Sequence, residues 1–132
     1  MKKIKVAAAI IKNQLGQILI CQRGAGGDLA YLWEFPGGKL EAGENLKSCL
    51  ARECLEELAI QIEVGKFLTS TKGVYLDREL EIFFFWAKIL KGQVTISVHQ
   101  AYKWIEAELL EPQDFCPGDI PVVIMFKNGL PL

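Results

Sequence analysis

The stretch from Gly38 to Ile60, GKLEAGENLKSCLARECLEELAI, constrains this chain more than any other. A glycine-bearing loop feeds a helix predicted over Leu46–Leu58, with Asn45 as its N-cap. The second half of that helix packs Arg52, Glu53, Glu56 and Glu57 into six positions. The helix macrodipole is negative at this end, so each glutamate there is mildly unfavourable. Glu53–Glu57 and Glu53–Glu56 add like-charge repulsion of roughly 0.2–0.5 kcal/mol per pair. A bound divalent cation would turn both penalties into attraction, and the cluster is read as a metal site. The competing reading is a solvated acidic face. At 3.6 residues per turn the three glutamates fall within an arc of about 100°. Leu46, Cys49 and Leu50 share that arc at the spacing of a core-facing stripe. A carboxylate on an inward stripe is costly unless paired or metal-bound. Arg52 can serve one of them but cannot neutralise three.

The 132 residues suit one domain, 1–132, with a sizeable core. A formal net charge of −1 supplies no electrostatic footprint for a nucleic-acid polymer, although local basic residues can hold a small phosphorylated ligand. Cys21, Cys49, Cys54 and Cys116 form no C-x-x-C pair, and with His99 the only histidine there is no zinc-type spacing. Reduced thiols in a cytoplasmic protein are expected, with Cys49 and Cys54 acting as small apolar residues. The apolar run after Met1-Lys2-Lys3 ends at Lys12, too short for a signal peptide, and reads as a first strand. No segment approaches membrane-spanning length.

Ile4–Lys12 and Gln17–Arg23, separated by Asn13-Gln14-Leu15-Gly16, predict a β-hairpin. Gly24 to Asp28 is a flexible turn that matches neither the P-loop nor the dinucleotide fingerprint. Trp33-Glu34-Phe35 is short and extended, and Pro36-Gly37-Gly38 predicts a Pro-Gly turn after it. Gln61–Val74 suggests a strand bent near Gly65, Leu80–Leu90 a buried central strand, and Tyr102–Ile105 a further short one. Glu106–Leu110 reads as a helical turn and Asp119–Lys127 as a final helix with Pro121 near its start. Strand pairs alternating with single helices imply an α/β fold, a mixed sheet covered by helices.

Gly38, five residues, Glu44, seven residues and then Arg52-Glu53-Cys54-Leu55-Glu56-Glu57-Leu58-Ala59-Ile60 closely resembles the Nudix box. Cys54 replaces a usual aliphatic residue and Ala59 the glycine that ends the helix. If that last position needs a positive φ, Ala costs about 1 kcal/mol relative to Gly. The opening MKKIKVAAAIIKN, Gln22-Arg23, Trp33 to Gly38, Asp77-Arg78 and Pro117 to Val122 extend the resemblance to the MutT-like group over nearly the whole chain. His99-Gln100 and Asp119-Ile120-Pro121 look most like the bacterial CTP pyrophosphohydrolases. The resemblance implies an α/β/α sandwich that hydrolyses a nucleoside triphosphate to a monophosphate and pyrophosphate.

It further implies that Glu53, Glu56, Glu57 and the Gly37 carbonyl hold Mg²⁺, with Mn²⁺ as an alternative. Mg²⁺ suits a few carboxylates plus substrate phosphates. Arg52 would orient the glutamates and Glu44 would be an auxiliary acid. Family members use as general base either a box glutamate or a later loop glutamate. The later position is Val98 here, so Glu53 is taken as base with Glu56 behind it. His99, adjacent, reads as a solvated loop histidine or as a substitute base. Arg23 matches the phosphate-binding arginine. Glu34, Phe35, Pro36 and Gly37 would line the nucleotide pocket, Tyr75 and Arg78 would approach the base, and Asp28 stands where some members place a histidine. Trp33 and Phe83 to Trp86 read as core. Asp119 either contacts the base or caps the final helix. An ionised Asp suits the exocyclic amine of cytosine, and a protonated one suits 8-oxoguanine as well.

The leading expectation is a monomeric, Mg²⁺-dependent nucleoside triphosphate pyrophosphohydrolase favouring CTP, dCTP or 5-substituted cytosine nucleotides. Sanitation of 8-oxo-dGTP is second. A nucleoside diphosphate linked to another group is third, disfavoured by the absence of an added domain. A nucleotide-binding module without catalysis is the alternative of another class, resting on Val98 alone.

Overall fold

The computed structural model describes residues 1–129. In chain order it contains β1 (Lys2–Ile11), β2 (Ile18–Gln22), β3 (Trp33–Glu34), β4 (Gly37–Lys39), α1 (Leu46–Leu58), β5 (Gln61–Tyr75), β6 (Arg78–Lys91) and β7 (Ala101–Ile105). Three 3₁₀ turns, at Ala107–Leu109, Pro112–Asp114 and Pro117–Asp119, then lead into α2 (Ile120–Lys127). One sheet has the order β4-β1-β6-β5 and a smaller one the order β3-β2-β7. The larger sheet is mixed: β1 runs parallel to β6 and antiparallel to β4, while β5 runs antiparallel to β6.

The continuous apolar run of β1 reflects burial on both faces. Ala7, Ala9 and Ile11 pack with Cys49, Leu50, Cys54 and Leu58 of α1. The alternate residues Ala8 and Ile10 pack with Val122, Val123 and Phe126 of α2. Strand β6 divides in the same way, Phe85 and Ala87 joining the α1 side and Phe84 the α2 side. The result is the expected α/β/α arrangement. All four cysteines are free and buried. Burial pushes the Cys49 thiol up to about 11 and the Cys54 thiol to about 12, consistent with inert packing.

Two local expectations are corrected. The first two strands do not form a hairpin. Asn13 organises a tight turn, accepting from the Leu15 and Gln17 amides, but β1 and β2 enter different sheets and meet at an antiparallel Lys12–Ile18 bridge. Pro36-Gly37-Gly38 is not a turn either. Gly37 and Gly38 are extended and pair with Ala8 and Ala7, and neither has a positive φ. They are glycines because of close approach. A Cβ on Gly37 would enter the Ala7 carbonyl oxygen, and one on Gly38 would enter the Glu53 carboxylate. The bend near Gly65 is present as a register shift between Val64 and Phe67.

Helix α1 starts at a capping box, the Asn45 side chain accepting from the Ser48 amide at 2.8 Å and Ser48 Oγ accepting from the Asn45 amide at 3.2 Å. It ends at Ala59, which adopts φ 58° and ψ 32°. The left-handed conformation that normally takes glycine is therefore occupied by an alanine. Ala59→Gly is expected to stabilise the protein by about 1 kcal/mol, raising the melting temperature by roughly 3–6 °C in a thermal scan. An unchanged or lower melting temperature would contradict this.

Candidate active site

The acidic end of α1 is organised by Arg52. Its Nε donates to Glu44 Oε2, its Nη2 to Glu44 Oε1 at 3.0 Å, and its Nη1 to Glu53 Oε1 at 2.9 Å and Glu56 Oε2 at 3.1 Å. Nη2 also reaches the Lys39 carbonyl at 3.3 Å, tying the helix to β4. One guanidinium therefore spaces three carboxylates, Glu53 and Glu56 on the helix and Glu44 in the loop before it. Hydrogen bonding from Arg52 holds the Glu44 carboxyl down at about 2, and Glu44 in turn raises Arg52 above its ordinary value. Glu53 is tucked against Gly38, its side chain 13% exposed, whereas the Glu56 side chain is 59% exposed.

Glu57 has no ion-pair partner among the described residues. Burial, then the neighbouring Glu53 charge, pushes its carboxyl up to about 7, opposed by His99. Glu53 and Glu57 both face a cleft of about 1030 Å³. Arg23 and Glu34, at the end of the small sheet, line the same cleft.

Strand β2 pairs with β3 so that Cys21 lies opposite Glu34, and with β7 so that Gln22 lies opposite Ala101. Arg23, Glu34 and His99 consequently gather at one end of the sheet. Arg23 Nη1 donates to Glu34 Oε1 at 3.2 Å, and His99 Nε2 lies 2.9 Å from Glu34 Oε2. His99 is not the solvated loop residue of one sequence reading: its side chain is 4% exposed, enclosed at the start of β7. The Cys116 amide donates to the Trp33 carbonyl at 2.9 Å, bringing the Pro117–Asp119 turn beside the small sheet. Thr71 Oγ1 donates to the Gly118 carbonyl at 2.9 Å and fixes that turn from β5.

Asp119 is 5% exposed and lines the cleft, but its side chain makes no capping hydrogen bond to α2. The capping role is thereby corrected. The carboxyl is raised well above its ordinary value by burial and then by the Glu34 charge, with the Phe35 amide and Arg23 opposing. The Phe35 ring packs inward, 5.5 Å from Phe115 and 6.2 Å from Phe84 between centroids, although the residue borders the cleft. Gly37 and Tyr75 border it too. Pro36 and Arg78 do not. Pro36 is buried with its carbonyl accepting from the Ala9 amide at 2.8 Å, and Arg78 lies opposite Lys2 and Tyr75 where β6 begins. Glu44, Arg52 and Glu56 do not line the cleft. Asp28 is exposed outside the cleft.

The NUDIX domain matches residues 1–126. The chain belongs to the Nudix family. Among relatives of this Nudix hydrolase, the CTP pyrophosphohydrolase of Escherichia coli K12 is 37% identical over 126 residues, covering 96% of this chain and 93% of the relative. The 8-oxo-dGTP diphosphatase of the same organism is 31% identical over 128 residues, covering 97% and 99%. The crystal structure of a MutT protein from Methanosarcina mazei Go1 superposes with a TM-score of 0.85 at 24% identity, covering 96% of this chain and 94% of that one, which establishes the fold. Nudix hydrolases act on nucleotide substrates and generally use divalent metal ions.

The donor set of this Nudix hydrolase fits such an ion. It consists of hard oxygen ligands, and Arg52 leaves Glu57 uncompensated beside Glu53, so the repulsion raising Glu57 is relieved by a cation. Among the described residues no three acidic or imidazole groups already converge as a cage. Mg²⁺ takes few protein carboxylates and completes its shell with water and phosphate.

Proposed function

We propose that this Nudix hydrolase is a Mg²⁺-dependent nucleoside triphosphate pyrophosphohydrolase that favours cytosine nucleotides, CTP, dCTP or their 5-substituted forms. One observation carries the reading. A single cleft is lined by the carboxylates Glu53 and Glu57, by an arginine, Arg23, and by a buried carboxyl, Asp119. That arrangement suits a ligand with polyphosphate at one end and a hydrogen-bonding base at the other.

Glu53, Glu57 and the Gly37 backbone would hold the metal, with Glu56 at the outer edge. When bound, the ion supplies charge neutralisation at the phosphoryl oxygens and a lowered water pKa. Arg52 keeps Glu53 and Glu56 in place, and Glu44 keeps Arg52 in place. Because Glu53 Oε1 accepts from Arg52, its second oxygen is the atom that takes the proton of the attacking water. Arg23 binds phosphate oxygens through the donors that Glu34 leaves free.

Burial favours the neutral form of Asp119, which can donate its O–H to cytosine N3 and accept from the N4 amine in one cyclic pair. The same neutral carboxyl can accept from N7–H and donate to O6 of 8-oxoguanine, and that observation favours the second reading, 8-oxo-dGTP hydrolysis. The higher identity to the CTP pyrophosphohydrolase supports the first. Ranking kcat/KM over a nucleotide panel decides between them. CTP or dCTP is expected to lead, and Asp119→Asn to change the ranking. An 8-oxo-dGTP advantage beyond about tenfold, roughly 1.4 kcal/mol in transition-state binding, would overturn the cytosine preference.

A further inference from the structure

The Glu34 carboxylate has both oxygens engaged. Oε1 takes Arg23 Nη1, with the Cys116 thiol 3.8 Å away, and Oε2 takes His99 Nε2. A carboxylate only accepts, so Nε2 of the imidazole is the donor. Nδ1 is enclosed and has no partner among the described residues. Glu34 is thus the one polar contact of a ring that is otherwise buried. A buried polar atom ordinarily has at least one hydrogen-bond partner. Here the polar chemistry of the imidazole is directed wholly at Glu34.

Arg23 presents the opposite case. Its side chain is 45% exposed, it borders the cleft, and Glu34 is its only side-chain partner among the described residues. A flexible, half-exposed arginine binds phosphate well only if its guanidinium is held in place beforehand. Strand register supplies the alignment. Arg23 directly follows β2, its amide donating to the Leu32 carbonyl at 2.9 Å; Glu34 lies opposite Cys21, and the Gln100 amide donates to the Gln22 carbonyl at 2.9 Å, placing His99 beside them.

We propose that His99 is a positioning residue of the phosphate subsite. It fixes the orientation of the Glu34 carboxylate, and Glu34 in turn fixes Arg23 for the phosphate oxygens of the nucleotide. The inference rests on the reading of the cleft as a nucleoside triphosphate site. Enclosure of Nδ1 separates this role from that of a general base, because a proton acceptor must reach the attacking water.

The test is a double-mutant cycle on the full chain with CTP and Mg²⁺, using His99→Ala, Arg23→Ala and the pair. Losing the orienting partner is expected to raise KM by roughly tenfold or more while kcat changes far less. The double variant should be little worse than Arg23→Ala alone, because both changes disable the same contact. His99→Gln, whose amide can donate to Glu34, should recover part of the loss. Additive losses, or a fall in kcat at unchanged KM with an altered pH–rate profile, would overturn the proposal. A melting temperature that falls with both kinetic constants unchanged would do so too. If the wild type hydrolyses no nucleotide, the substrate reading fails separately, and ¹⁵N spectra still judge the contact. With one histidine in the chain the imidazole signals are unambiguous. Positioning requires the Arg23 guanidinium resonance to move and broaden in His99→Ala, and an unchanged resonance refutes it.

Discussion

Glu53→Gln is expected to lower pyrophosphate release from the best nucleotide by about 10²–10⁴-fold, the range associated with loss of a general base, while leaving the fold intact. The substitution keeps the shape of a side chain that is 13% exposed and packed against Gly38. It removes the charge that faces the cleft and the capacity to take a proton. Arg52 retains Glu44 and Glu56 as partners, so the acidic cluster keeps its scaffold. Steady-state kinetics with Mg²⁺, alongside a thermal scan, check the expectation. Activity within about fivefold of wild type would remove Glu53 from the role of base, leaving Glu56 or a cleft residue to fill it.

The neighbouring glycines are expected to separate stability from activity. In Gly37→Ala the new methyl group meets the backbone of β1 at the Ala7 carbonyl, which cannot move without breaking the β1–β4 pairing. A stability loss of about 3 kcal/mol is expected, read from denaturant unfolding. In Gly38→Ala the atoms that the methyl meets first are those of the flexible Glu53 carboxylate. The carboxylate can swing aside at about 1 kcal/mol of rotamer strain, so the fold survives. Displacing the reacting group by an ångström or so should nevertheless cost about 10²-fold in kcat. If Gly38→Ala keeps full activity, the position of Glu53 seen here is not the working one. If Gly37→Ala is as stable as wild type, close approach is not why a glycine stands there.

The box was legible because its chemistry is written on one helix. Asn45, the Leu46–Leu58 span and the turn from apolar to acidic on one face all follow from residues three and four apart. The same locality let the identity of residue 59 predict a strained helix end, which Ala59 displays. Expectations failed where long-range packing overrides local preference. Pro-Gly-Gly ordinarily means a turn, but here the missing side chains let β4 lie against β1 and Glu53. Two apolar runs around Asn13 and Gly16 mimic a hairpin, yet the sheets to which they belong are set by β6 and β7.

The rest of the cleft could not be read locally. Glu34 and His99 are 65 positions apart, and nothing near either residue announces that they meet. An isolated histidine among alternating apolar and polar residues, Val94 to Ala101, carries no sequence signal of its own burial. Only the antiparallel pairing of β7 with β2 brings it to the end of the small sheet. Asp119 was recognisable as a candidate for base contact, while its burial and its uncapped geometry follow from the Thr71–Gly118 and Trp33–Cys116 contacts.

The most direct measurement is ³¹P NMR of CTP incubated with the protein and Mg²⁺, which identifies the phosphoanhydride that breaks. CMP and pyrophosphate are expected as the sole products, with no turnover once EDTA is added and recovery when Mg²⁺ is restored. CDP and inorganic phosphate, or nucleotide binding without turnover at any Mg²⁺ concentration, would contradict this.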